Sequence, residues 1–171
     1  IPHGVHHAFL YPPDEIPEPD EIRDIPHPRI SYWGQLDAKL NDDLIREVAL
    51  QRPEWQFIFY GTKTFTYPGI ESLPNVHFPG YAPPDFLNQV GYHSDVLVMP
   101  WTETEWIRSQ CPIKYREYLA LGKPVVSSPS YEVELAYPGE AIIARTTEEW
   151  IDGIEASLRN DSPDKAAHRK A

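Results

Sequence analysis

Short, continuously apolar runs recur along this chain, and each stops at a glycine, a proline or a polar turn. Ile30-Ser-Tyr-Trp33 runs into Gly34, Phe57-Ile-Phe-Tyr60 into Gly61, and Val96-Leu-Val-Met99 into Pro100. Val125-Val126 and Ile142-Ile143 are shorter versions of the same pattern. Between the runs lie stretches with helical spacing, such as Leu44, Ile45, Val48 and Ala49. A strand that faced water on one side would alternate apolar with polar residues. These do not, so they belong in a parallel sheet covered by helices on both faces. The expected fold is therefore α/β and doubly wound. Such sheets take ligands at the carboxyl ends of their strands, near the point where strand order reverses. The segments expected there are Gly34 to Lys39, Gly61 to Lys63, Gly80-Tyr81, Pro100-Trp101 and the loop up to Pro112.

The spacing predicts strands over 29–34, 56–60, 75–78, 95–99, 125–128 and 141–144. It predicts helices over about 42–51, 84–90, 112–121, a brief turn near Val133, and a last helix carrying Trp150, Ile151, Ile154 and Leu158. Asn41 reads as an N-cap, and Thr146 with Glu149 as a capping box. Prolines mixed with Asp14, Glu15, Glu18, Asp20, Glu21 and Asp24 make residues 1–28 an expected extended linker that buries little. Residues 29–160 form the folded domain, and 161–171 a polar, fraying tail. The opening Ile1-Pro-His-Gly reads as a cut from a longer chain.

Several function classes are disfavoured. The 171 residues carry a formal net charge of −11, against what a nucleic-acid backbone attracts. The single cysteine excludes an internal disulfide and fits a reducing compartment. No apolar run is long enough to span a bilayer. Gly-x-Gly-x-x-Gly, the phosphate loop, Gly-x-Ser-x-Gly and His-Glu-x-x-His are all missing from the sequence. His3, His6 and His7 lie close together, but without a neighbouring carboxylate or cysteine they read as solvated surface. Asn160-Asp-Ser162 matches a glycosylation sequon weakly. Cys111 beside a helix start is read as uninvolved in catalysis, since no histidine is arranged to activate it.

The most informative stretch is Cys111 to Ser128. Pro112 suits a first helical position, Gly122 the residue just past the helix, and Pro124 prevents continuation. Free N–H groups in the first turn make an anion site, and Lys114 stands in that turn. Glu117 shares its face with Lys114. A cation for phosphate beside a carboxylate for a hydroxyl pair suggests a nucleotide; a plain i,i+3 ion pair is the simpler alternative. Trp33, Trp55 and Trp150 read as packing residues, and Trp101 as the tryptophan near a ligand.

The sequence Pro112-Ile-Lys-Tyr-Arg-Glu-Tyr-Leu-Ala-Leu-Gly-Lys-Pro-Val-Val resembles the donor-site signature of GT-B-fold glycosyltransferases of the large retaining group 1 class. Ile30 to Gly34, Arg52 to Phe57, Leu73 to Gly80 and Asp95 to Pro100 resemble family blocks in family order, and residues 1–7 the close of the family's amino-terminal domain. The resemblance implies a Rossmann-like carboxy-terminal half, which binds a nucleotide-diphosphate sugar for transfer to an acceptor held by an amino-terminal domain.

On that resemblance, Lys114 and Glu117 are the candidate catalytic residues. Glu117 would accept hydrogen bonds from ribose hydroxyls; Lys114 and the helix start at Pro112 and Ile113 would hold the diphosphate. Lys39 is implied as a second cation and Arg108 as a further phosphate ligand. Gly80 and Tyr81 would border the base, with Gly34, Gly61, Pro100 and Trp101 lining the donor. The donor is a substrate, and no cofactor or metal is implied. A cytoplasmic location is expected, with any membrane contact made through the missing half. One position departs from the family: Ser109 stands where many members carry an acidic residue that contacts the donor sugar. A non-catalytic nucleotide-binding regulatory module and a nucleotide-sugar epimerase of the same fold are the alternatives.

Overall fold

The computed structural model describes residues 4–10, 15–110 and 112–171. In chain order its elements are α1 (His7–Leu10), α2 (Asp20–Arg23), β1 (Arg29–Trp33), α3 (Asp42–Gln51), β2 (Gln56–Tyr60), β3 (Val76–Gly80), α4 (Pro84–Tyr92) and β4 (Val96–Met99). Then come α5 (Glu105–Arg108), α6 (Ile113–Ala120), β5 (Val125–Ser127), α7 (Tyr131–Ala136), β6 (Ile142–Ile143), α8 (Thr147–Asn160) and α9 (Pro163–Lys170). The strands form one six-stranded sheet in the order β3-β2-β1-β4-β5-β6, and every pairing is parallel. This is the doubly wound order, with its reversal between β1 and β4. The fold is α/β and Rossmann-like, as expected.

Local chemistry sets the element ends. The Asn41 side chain accepts from the Leu44 amide and starts α3. Thr146 and Glu149 form the reciprocal capping box of α8. Gly122, at φ +71°, is the left-handed residue after α6, and its N–H donates to the Leu119 carbonyl at 2.8 Å. Pro79 is tolerated within β3 because that strand is an edge. β1 and β4 are buried throughout, as strands covered on both faces must be.

Three expectations are corrected. Pro112 is the N-cap of α6 and not its first residue, because its ψ of 110° is extended. The segment before β1 buries more than its composition suggested. Phe9 and Ile22 are core residues, Phe9 stacking on Trp33 at 5.9 Å. Glu18 pairs with the buried guanidinium of Arg29 at 2.6 Å, so its acidic residues are not all solvating a linker. The tail is also ordered: Ser162 caps α9 by accepting from the Lys165 amide, and Arg169 donates to the Gly122 carbonyl at 2.9 and 2.7 Å. The expectations for Cys111, for Asp14 and for residues 1–3 lie outside the described residues.

Candidate functional site

The parallel ladder between β1 and β4 ends at Ser31–Leu97. Past that pair the strands separate, which would strand the Trp33 amide and the Val98 carbonyl. The buried Tyr118 hydroxyl closes the gap: it accepts from Trp33 N–H at 3.4 Å and donates to Val98 O at 3.3 Å. Tyr118 belongs to α6, so the same bonds fix that helix over the mouth of the switch point.

Two side chains of α6 then meet opposite faces of β1. Lys114 Nζ donates to the Tyr32 hydroxyl at 3.2 Å and lies over the Tyr32 and Trp101 rings, 4.8 and 4.9 Å from their centroids. The Trp101 indole N–H donates to the same hydroxyl at 3.4 Å. Glu117 Oε2 accepts from the Trp33 indole N–H at 2.7 Å. Among the described residues no ion pair joins Lys114 to Glu117, which disposes of the simple helix pair. Burial pushes the Glu117 carboxyl above its ordinary range; the Trp33 bond and the charges of Lys114 and His6 oppose this. Lys114 sits in the first turn of α6, a helix whose N-cap supplies no side-chain bond. Its leading amides are therefore available to an anion.

Glycines bring the backbone into the same space. Gly34, Gly61 and Gly80 end or follow β1, β2 and β3 at φ +142°, +149° and +107°. A Cβ on Gly61 would lie 1.7 Å from the Gly34 carbonyl oxygen, and one on Gly34 would lie 2.7 Å from Lys114 Nζ. Beside them opens a cavity of about 340 Å³ walled by Trp33, Gln35, Tyr60, Thr62, Tyr81 and Leu87. Tyr81 is 75% exposed and stands at its rim.

The remaining expected residues divide. Pro100 accepts from the Asn41 amide at 2.9 Å, and Trp101 is buried, its amide donating to Ser128 Oγ; both hold the floor under Lys114. Ile113 is the first residue of α6 and partly exposed. Lys39 is engaged with Asp37, Nζ to Oδ2 at 3.4 Å. Arg108, on α5, stacks over Tyr131 of α7 at 4.7 Å, and no contact joins it to Lys114 or Glu117 among the described residues. Tyr32 and the polar role of Trp33 escaped sequence reasoning. Their only signal was position, one and two residues before a strand-ending glycine.

A family model for glycosyl transferases group 1 matches residues 27–160, a span that contains every residue of this cluster. The chain belongs to that family. It is 31% identical over 103 residues to TuaH of Bacillus subtilis (strain 168), named as a teichuronic acid biosynthesis glycosyltransferase; the match covers 58% of this chain and 26% of TuaH. Solved structures share the fold. WaaG, a glycosyltransferase involved in lipopolysaccharide biosynthesis, superposes with TM-score 0.68 at 16% identity, covering 99% of this chain and 50% of that one. The C-terminal domain of the group 1 protein LpcC from Francisella tularensis gives 0.62 at 14%, covering 98% of this chain and 92% of that domain. Anabaena HepE in complex with UDP-glucose gives 0.63 at 18%, covering 84% and 42%. This group 1 chain thus spans about a quarter of the TuaH sequence and half or less of the two longer solved chains.

Proposed function

We propose that this chain is the donor-binding half of a glycosyltransferase and holds a nucleotide-diphosphate sugar at the β1–β4 switch point. The observation that carries the reading is the separation of Lys114 and Glu117. One turn of α6 offers a cation and free amides on one side and a desolvated carboxylate on the other, next to an aromatic-walled cavity. A nucleoside diphosphate needs that distribution. Glu117 accepts from the ribose hydroxyls. Lys114 and the α6 amides receive the diphosphate, and the base enters the cavity beside Tyr81. The bond that breaks in transfer joins the sugar to the diphosphate, so negative charge grows where Lys114 and the helix dipole already stand. That neutralisation requires no metal. HepE, solved with UDP-glucose, supports a nucleotide sugar as the ligand class. Retention of anomeric configuration follows from the family resemblance.

Calorimetric titration with uridine, guanosine and adenosine diphosphates tests this. One of the three binds, and Lys114→Ala and Glu117→Ala each weaken it at least tenfold, about 1.4 kcal/mol. Absence of binding by all three defeats the reading. One observation favours a second reading, a non-catalytic module: Ser109, in the family's acidic position, turns its hydroxyl back to donate to the Glu105 carbonyl at 2.8 Å. Nucleotide-sugar consumption by the full-length protein with candidate acceptors separates the two. Consumption without acceptor or hydrolysis identifies an epimerase.

A further inference from the structure

We propose that His6, His7 and Asp85 form a surface site for one divalent ion of the zinc class, tying the segment before β1 to α4. The histidines alone read as solvated surface for want of a carboxylate. The fold supplies one: Asp85, in the first turn of α4, places a carboxylate oxygen so that one donor atom from each of the three side chains lies within 4.8 Å of the others. The two imidazole rings stand 4.3 Å apart between centroids.

The donor set decides the ion. Two imidazoles and one carboxylate match three-ligand zinc sites whose fourth position holds water. Magnesium and calcium prefer all-oxygen shells, so they are rejected. Metal–ligand distances of about 2.0–2.2 Å require the donor atoms to close in by roughly an ångström. All three side chains are exposed and can rotate. One existing contact must yield if the ion takes His6 Nδ1: the Ala8 amide donates to that atom at 3.3 Å, at the long end for a hydrogen bond. If the ion takes Nε2 instead, the His6 proton moves to Nδ1 and the same contact is lost. A second feature places the site functionally. Segment α1 packs on both α4 and α6, and its Phe9 stacks on Trp33, whose indole donates to Glu117, so the ion would sit beside the nucleotide clamp. Its binding pins α1, with Phe9 behind it on Trp33, against α4.

The test is titration of the metal-stripped 171-residue chain with Zn²⁺ by calorimetry, and with Co²⁺ by visible absorption. One ion binds per chain, Co²⁺ gives the intense bands of low coordination number, and Mg²⁺ gives no heat. His7→Ala and Asp85→Asn, both at exposed positions and checked for unchanged circular dichroism, each weaken Zn²⁺ binding at least tenfold. His168→Ala leaves it unchanged. No saturable Zn²⁺ binding, equal binding of Mg²⁺, wild-type affinity in both site variants, or loss in His168→Ala overturns the proposal. These measurements involve no nucleotide, so they stand or fall apart from the donor-site reading.

Discussion

Glu117 carries a conflict between stability and binding. Burial raises its pKa in the folded chain more than Trp33, Lys114 and His6 lower it. A carboxyl raised on folding favours the folded state while protonated; that contribution is complete below the unfolded pKa and is lost as pH rises through the folded one. At neutral pH the ionised group therefore costs stability. Glu117→Gln keeps an oxygen to accept from the Trp33 indole and removes the charge. It should raise the urea midpoint at neutral pH, and the advantage should vanish as pH falls below the ordinary carboxylate range. The same variant should bind nucleotide diphosphate more weakly, and wild-type affinity should fall with acidification earlier than an ordinary glutamate would allow. A wild-type midpoint equal to or above that of the variant at neutral pH rules out the conflict. The spacing of Lys114 and Glu117 could be read from the sequence, because three residues on a helix share a face. Their partners could not. Tyr32 and Trp33 are adjacent in a strand and so point to opposite faces, and only the docking of α6 shows that one meets the cation and the other the carboxylate.

Among the elements, α6 does more than present side chains. Its Tyr118 hydroxyl stands in for a missing rung between β1 and β4, so removing it should strand a buried amide and a buried carbonyl. Tyr118→Phe should cost about 1–3 kcal/mol, read from the denaturant midpoint. Because α6 would also lose one of its bonds to β1, keeping Lys114 to Tyr32 and Trp33 to Glu117, nucleotide affinity should drop with stability unimpaired enough to measure it. A destabilisation under a few tenths of a kcal/mol would show that water fills the rung. The strands, the caps of α3 and α8 and the glycine end of α6 were all legible, since each depends on residues within a few positions. The short helices α1 and α2 were not. Their burial rests on isolated anchors, Phe9 and Ile22, set in a proline- and acid-rich context that ordinarily signals disorder. Asp85 is a similar case. A carboxylate far along the chain joins two histidines only because α4 packs beside α1.

For the whole molecule, topology outranks cavity size. A larger cavity, about 490 Å³, is lined by Val125 and Ile142 at the starts of β5 and β6, by Ala156 and Ser157 of α8, and by Lys165 and His168 of α9. That is the amino end of the sheet. Its charged groups already have partners: His168 pairs with Glu140 at 3.1 Å, and Lys165 donates to the Asn160 carbonyl at 2.9 Å. The smaller cavity lies at the carboxyl ends of β1 and β2, where strand directions align toward a ligand, backbones approach through glycine and Lys114 stands close. Sequence pattern predicted a site at that end from the class of sheet alone; it could not say which strands flank the reversal, because order depends on how each helix crosses over. Filling each cavity in turn discriminates between them. Thr62→Trp, at an exposed position on the wall of the smaller one, should weaken nucleotide diphosphate binding at least tenfold, about 1.4 kcal/mol. Ala156→Trp, in the larger one, should leave the dissociation constant within about twofold, since groups far from the ligand and without shared partners act independently. The reverse result would move the ligand to the amino end of the sheet.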